Sequence, residues 1–194
     1  MKKVIRFKIV FLPKLYKMKK ILLSLFITFG LFTSCSVIDE LTKFDLDYQT
    51  NYSVSSTTII NTPFNLDTPD VTTESESSFE NNNTHKDLIE SIKLKTIKLT
   101  IEAPENGDFN FLKEIHIYIN TENVEEIEIA NSFDLENTDS GVLELDVLGQ
   151  ELKDYIKEDR FNLRVKTVTD ETISETHDIV IDTKFRVDAK ILGI

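Results

Sequence analysis

The sequence of 194 residues has no tryptophan, one cysteine, five glycines and four prolines. A single cysteine excludes an internal disulfide, and so few glycines leave little backbone able to wrap a nucleotide phosphate. Neither a G-x-S-x-G elbow nor a glycine-rich phosphate loop occurs in the sequence. Because many sugar-binding sites stack the sugar on tryptophan, its absence weakens a carbohydrate-binding interpretation, although five tyrosines remain.

The histidines also show no pattern of a metal site. His85, His116 and His177 are far apart, and no two have the spacing of metal ligands. His116 lies on the outward side of a predicted strand, which favours a solvent-facing role. The 34 acidic residues are too numerous for any one pair to identify a hydrolase site. The sequence therefore predicts no catalytic residue, no cofactor and no enzyme activity, with a carboxylate-dependent hydrolase as the alternative.

A leader-like segment precedes the only cysteine. Lys19 and Lys20 are followed by an apolar run over Ile21–Phe32 and then by small residues, the pattern of a signal peptide. A helix of this run would be roughly 18 Å long, well short of the ~30 Å hydrocarbon core of a bilayer. The residues before Met18 are either an extended basic leader or lie upstream of the true start, and we favour the second interpretation.

The end of this leader resembles the lipobox of bacterial lipoproteins. Leu31, Phe32, Thr33 and Ser34 precede Cys35, with Phe32 at the position where the strictest motif has leucine. The resemblance implies that residues 1–34 are a signal peptide, that the Cys35 sulfur is lipidated, and that cleavage after Ser34 exposes a new amino terminus for acylation. It further implies a membrane-anchored protein of the cell envelope, in the outer membrane of a Gram-negative bacterium.

Removal of the leader changes the charge balance. Residues 1–34 hold eight of the 22 basic residues and none of the 34 acidic residues, so cleavage leaves a net charge near −20. Such a surface repels nucleic acid and anionic lipid headgroups, which excludes a nucleic-acid partner. The remaining partners are the membrane, through Cys35, and a protein or glycan at the cell surface.

Two charged groups are candidate binding features. A polar turn concentrates oxygen donors of the type that calcium prefers, although its spacing does not match an EF-hand and an ordinary turn is the alternative; these residues are Asp134, Glu136, Asn137 and Asp139. Lys93, Lys95 and Lys98 cluster on one predicted strand, and Glu126 and Glu128 lie on another. Either these charges pair across strands or the lysines form a docking patch for a protein.

Alternating apolar residues predict most of the body as β-strands. Lys43–Gln49 alternates cleanly, and similar patterns recur at 97–103, 115–119, 127–129, 143–147, 161–166 and 179–189. We expect seven to nine strands in an all-β antiparallel sandwich, because strands with one apolar side need a second layer to cover them. A barrel-like or α+β arrangement is the alternative.

Shorter features complete the predicted organisation. Thr84 and Asp87 resemble a capping box, and Leu88, Ile89 and Ile92 share one helical face, which predicts a short helix there. A second short helix is predicted over 149–157. Residues 35–43 form a lipidated tether, and 44–194 form one domain with a long polar loop around 67–83.

These observations favour a lipid-anchored, non-enzymatic binding or scaffolding module of the cell envelope. The anchor and the strand pattern support this hypothesis, and no catalytic motif supports an enzyme. A carboxylate-dependent hydrolase and a purely structural envelope protein are the alternatives.

Overall fold

The computed structural model describes residues 42–58, 60–133, 135 and 140–190. These residues form ten strands, two α-helices and one turn of 3-10 helix at Lys86–Leu88. The strands are β1 (Lys43–Val54), β2 (Phe64–Asp67), β3 (Val71–Thr72), β4 (Ile89–Ala103), β5 (Leu112–Asn120), β6 (Ile127–Phe133), β7 (Val142–Glu144), β8 (Asp146–Val147), β9 (Arg160–Thr169) and β10 (His177–Ala189). The helices are α1 (Ser75–Asn81) and α2 (Lys153–Ile156).

The strands make two antiparallel sheets. Sheet A has the order β1-β10-β4-β7, and sheet B has the order β2-β9-β5-β6-β8 with β3 also paired to β9. The predicted all-β antiparallel sandwich is confirmed. The count of ten exceeds the expected seven to nine partly because the single strand predicted at 143–147 is two strands, β7 in sheet A and β8 in sheet B. In addition, β3 has only two residues, too few for alternation to show in the sequence.

The inward side chains of both sheets form one core. Ile97, Leu99 and Ile181 of sheet A are fully buried, as are Ile117 and Val165 of sheet B. Burial of these aliphatic side chains drives the two layers together, since each removes apolar surface from water.

Three aromatic rings join the layers. Tyr48 of β1 lies 5.5 Å from Phe161 of β9 and 5.9 Å from Phe185 of β10, and the two phenylalanines are 6.0 Å apart, measured between ring centroids. All three contacts are edge-to-face, the geometry that aromatic pairs prefer. Because β9 belongs to sheet B, this trio holds the two sheets in contact at the β1 side of the sandwich.

The short helix predicted after Thr84 is present only as the 3-10 turn Lys86–Leu88. The assignment of Ile89 and Ile92 to a helical face is wrong, because Ile89 begins strand β4. The register of β4 against β10 shifts between Ile89 and Ser91 and again between Leu94 and Thr96. The spacing between successive buried residues of β4 therefore alternates between three and two positions, at Ile89, Ile92, Leu94, Ile97 and Leu99. A β-bulge adds a residue to one strand, and the resulting spacing of three imitates helical periodicity.

The polar loop around 67–83 has more structure than predicted. It contains β3 and helix α1, whose Phe79 is fully buried and lies 6.3 Å from Phe44 between ring centroids. The predicted helix over 149–157 is confirmed in place, although the α-helical residues are only Lys153–Ile156. Among the described residues, no helix is long and apolar enough to span a bilayer.

The open side of β4 is covered by the carboxylate of Glu151. Its Oε1 accepts hydrogen bonds from the Ile92 N–H at 2.8 Å and the Lys153 N–H at 3.0 Å, and its Oε2 accepts one from the Ser91 hydroxyl at 2.6 Å. Partial burial raises the pKa of Glu151, but these hydrogen bonds outweigh it and leave the pKa below its ordinary value.

We expect Glu151→Gln to lower the free energy of unfolding by about 1 kcal/mol at neutral pH, a value discounted for the exposure of this side chain. A lowered pKa in the folded state means that the carboxylate stabilises the fold fully above the unfolded value of 4.5 and loses that contribution as the pH falls through the folded value. The difference from the parent protein in urea denaturation should therefore shrink on acidification. A difference independent of pH would contradict this account.

Candidate functional site: the outer face of sheet B

Several residues singled out from the sequence lie outside the described residues. These are the lipidation candidate Cys35 and the calcium candidates Asp134, Glu136, Asn137 and Asp139. Within the described part of the chain, no group of three or more His, Cys, Asp or Glu side chains is arranged to hold a metal ion. The calcium hypothesis therefore stays a prediction from sequence.

Oppositely charged side chains form ion pairs on the outer face of sheet A. Lys95 lies 2.8 Å from a carboxylate oxygen of Asp45, which also pairs with Arg186. Lys184 lies 2.9 Å from Asp47, and a further pair joins Lys98 and Asp182 at 3.5 Å. The Lys184–Asp47 and Lys98–Asp182 pairs, together with Glu144, line a shallow groove of about 530 Å³.

The predicted partnership between the lysines and Glu126 or Glu128 does not form. The lysines lie on β4 of sheet A and the glutamates on or just before β6 of sheet B, so the two sets belong to different layers. Lys95 and Lys98 pair instead with aspartates of their own sheet. Charge pairing across neighbouring strands therefore holds for Lys98, whose partner Asp182 lies on the adjacent strand β10. Lys95 instead reaches past β10 to Asp45 of β1, and alternation could identify neither partner.

The outer face of sheet B is different because aromatic and charged side chains are interleaved there. We call this set the sheet B cluster, and it comprises Asn65, His116, Tyr118, Glu126, Glu128, Asn131, Phe133 and Arg164. The strands bring them together because β5 lies between β9 and β6, with Tyr118 opposite both Arg164 and Glu128.

Arg164 is fixed at one side of this cluster. Its Nε and Nη2 donate to the two carboxylate oxygens of Glu126 at 2.8 and 2.6 Å, and its Nη1 donates to Asn65 Oδ1. The guanidinium carbon lies 4.1 Å from the centroid of the Tyr118 ring, a cation–π contact. Hydrogen bonds from Arg164 lower the pKa of Glu126, and the same contact raises the pKa of Arg164.

His116 is fixed at the other side. Its Nδ1 lies 2.7 Å from Glu128 Oε1, which also accepts a hydrogen bond from Asn131 Nδ2 at 2.8 Å. Burial raises the pKa of Glu128, but the hydrogen bonds from Asn131 and His116 have the larger effect and leave the pKa below its ordinary value. The imidazole is largely buried, contrary to the expectation of a solvent-facing side chain on the outside of its strand.

Phe133 completes the cluster as an exposed ring. It lies edge-to-face with His116 at 5.1 Å between centroids, yet 54% of its surface is exposed. The described residues include five large exposed apolar side chains, and Phe133 is the most exposed of them. The cluster therefore presents an exposed apolar ring against His116, on the same face as Arg164, and both His116 and Arg164 are held by hydrogen bonds within the protein.

The sheet B cluster combines aromatic side chains with an arginine, and both residue types are common at protein interfaces. Aromatic side chains and arginine are enriched at interface cores, and side chains already held in place lose little conformational entropy on binding. The sequence did give a signal, since His116 and Tyr118 alternate outward on one strand and Arg164 does so on another. What it lacked was the pairing of β5 with β9 and β6 that makes them neighbours.

No arrangement for carboxylate-assisted hydrolysis stands out in the described residues. A general acid needs a carboxyl group whose pKa is raised toward neutrality. The carboxyl groups whose pKa clearly departs from its ordinary value are all lowered, and these are Asp45, Glu126, Glu128 and Glu151. They remain ionised at neutral pH, so none of these four supplies that proton.

Comparison with known proteins gives no family. No protein-family model matches the sequence, and no curated protein matches it. Among solved structures, the chain is similar to one of Desmodium yellow mottle tymovirus, with 11% identity, a TM-score of 0.29, and coverage of 78% of this chain and 91% of that chain. It is also similar to one of turnip yellow mosaic virus, with 9% identity, a TM-score of 0.26, and coverage of 78% and 98%. TM-scores this low support no argument about ancestry or function.

Proposed function

We propose that this chain is a lipid-anchored, non-enzymatic binding module of the cell envelope that contacts a protein partner through the sheet B cluster. The anchor rests on the resemblance of Leu31–Cys35 to a lipobox, and on that basis we assign the protein to the outer membrane of a Gram-negative bacterium. The binding role rests on one observation, the exposed Phe133 ring against the fixed imidazole of His116, on a face that also holds the fixed guanidinium of Arg164.

A protein partner fits this cluster better than a glycan does. A sugar stacks on a free aromatic face, but the Arg164 guanidinium covers one face of Tyr118, and His116 is largely buried. Phe133 offers an apolar ring without a hydroxyl, which suits a side chain of another protein. Arg164 neutralises Glu126, and Glu128 is the remaining carboxylate of the cluster, so an acidic protein meets little net negative charge here for a body of net charge near −20.

The proposal is tested in two steps. First, a photo-crosslinking residue is placed at position 133 in intact cells, and at Thr96 on the exposed outer face of sheet A as the matched control. We expect one protein to be captured from position 133 and not from position 96. That protein is then purified, and its affinity for the mature chain is measured by calorimetry.

In the second step, Phe133→Ala should weaken the affinity about tenfold to a hundredfold, as for a central interface residue. Thr96→Ala should leave it unchanged. Both side chains are exposed, so unfolding curves of the two variants should match the parent protein. Equal capture at both positions, or equal affinity for both variants, would refute the cluster as the contact surface, and binding of an envelope polysaccharide impaired by Phe133→Ala would assign the face to a glycan.

A further inference from the structure

Strand β1 is an edge strand unlike the other edges of the sandwich. It has 12 residues and pairs on one side with β10, at the end of sheet A. The strands at the other edges are short: β7 has three residues, β2 has four, and β3 and β8 have two each. Short edge strands are one means by which proteins avoid pairing with other chains, and the length of β1 leaves it without this protection.

Strand β1 also lacks two other common forms of edge protection, proline residues and β-bulges. It contains no proline and no glycine, and its register with β10 is continuous over all 12 pairs, without a bulge. By contrast, the open side of β4 is covered beyond the end of β7. The Leu145 N–H donates to the Ile97 carbonyl oxygen, and the Leu152 N–H donates to the Ile92 carbonyl oxygen. The Ile92 N–H in turn donates to the Glu151 carboxylate. Among the described strands, β1 is the long and regular edge.

The exposed row of β1 is charged in one half only. Lys43, Asp45 and Asp47 lie in the first half, whereas Gln49, Asn51 and Ser53 in the second half are uncharged. In an antiparallel pair of identical strands related by a two-fold axis, the first half of each strand faces the second half of the other. With the axis at Tyr48 or Gln49, each aspartate lies opposite a neutral side chain, and no like charges face each other.

We propose that β1 pairs antiparallel with β1 of a second copy of this chain, joining two copies of sheet A into one continuous sheet. The aspartates favour this register, because a shift that places them opposite each other brings carboxylates together, a repulsion that their own partners Lys95, Arg186 and Lys184 reduce but do not remove. With either axis the amide of Asn51 then faces a carboxylate, that of Asp45 or Asp47, which accepts hydrogen bonds from amides, while the Gln49 amide already donates to Asp182 of its own chain. This inference goes beyond the proposed function and uses a different surface from the sheet B cluster.

The first experiment measures proximity in the membrane, with the full chain expressed in cells. Gln49→Cys places a thiol at the centre of the proposed pair, and Glu122→Cys places one on the exposed turn between β5 and β6 as the control. The parent protein, whose only cysteine is Cys35, measures the background. After treatment with a short bis-maleimide, we expect a dimer from Gln49→Cys alone.

The second experiment tests the register in the Gln49→Cys background. Asn51→Asp places a carboxylate opposite Asp45 or Asp47, twice by symmetry, and should reduce the apparent dimer association about tenfold. Asn51→Lys places an ammonium there and should increase it. Asn51 is exposed within its own chain, so neither change is expected to disturb folding, which thermal unfolding checks.

Three results would overturn the proposal. One is a dimer yield from Gln49→Cys no higher than from Glu122→Cys. Another is an equal response to Asn51→Asp and Asn51→Lys, since only facing carboxylates distinguish the two. The third is a cross-linked product whose mass identifies another protein in place of a second copy, which would assign the edge to a foreign strand.

Discussion

Phe185→Ala is expected to lower the free energy of unfolding by about 3–5 kcal/mol, the usual cost of deleting a buried phenylalanine ring. The Phe185 side chain is fully buried and contacts both Tyr48 and Phe161, so its removal leaves a cavity where the two sheets meet. For a domain of this size, that loss corresponds to a fall in Tm of roughly 10 °C. Thermal unfolding followed by circular dichroism measures it directly.

The matched control for this prediction is Phe133→Ala. It deletes the same ring from an exposed position, where substitutions change stability by about 0.5 kcal/mol or less. A similar Tm for the two variants would show that the trio of Tyr48, Phe161 and Phe185 does not hold the layers together. The sandwich would then depend on its aliphatic core alone.

The second large effect is expected at the anchor. If Cys35 carries acyl chains, each buried methylene contributes about 0.8 kcal/mol to membrane attachment, and losing the chains should release the protein. We therefore expect a chain with Cys35→Ser, exported behind an ordinary cleavable signal peptide, to move from the membrane fraction to the soluble fraction. The ordinary signal peptide avoids retention by an uncleaved leader.

Labelling with a clickable fatty acid gives an independent measurement. The parent protein should incorporate the label, and Cys35→Ser should not, whereas Ser36→Ala keeps the sulfur and should be labelled like the parent. If the Cys35→Ser protein stayed with the membrane, attachment would come from the body of the protein. The proposed lipid anchor would then be wrong.

Regular alternation made most of the sandwich predictable. Strands β1, β5 and β9 were expected from sequence because they alternate without interruption and each has one buried face. Where the backbone departs from regular pairing, prediction failed for a physical reason. The irregular register of β4 gave Ile89 and Ile92 a spacing of three, and the short strand β3 and helix α1 lie within a polar segment whose buried Phe79 is an isolated apolar residue.

The candidate site, too, was predictable only where it depends on local alternation. Sequence placed His116 and Tyr118 on the outward face of one strand and Arg164 on the outward face of another. It could not place Arg164 over Tyr118, because that contact depends on the pairing of β5 with β9, two strands separated by about forty residues of chain. Nor could it separate Glu126 and Glu128 from the lysines of β4, since layer assignment is not encoded in local periodicity.

By itself, the sequence determined the β-rich class of this protein and its acidity, and it predicts a leader that ends at a lone cysteine. Each follows from composition or from a pattern of neighbouring residues, which the chain carries before it folds. Only the tertiary structure decided which strands pair, and with them the aromatic trio between the sheets, the sheet B cluster and the long edge of β1. Those features arise from contacts between residues distant in sequence, and packing of the whole chain selects among the many pairings that local patterns allow.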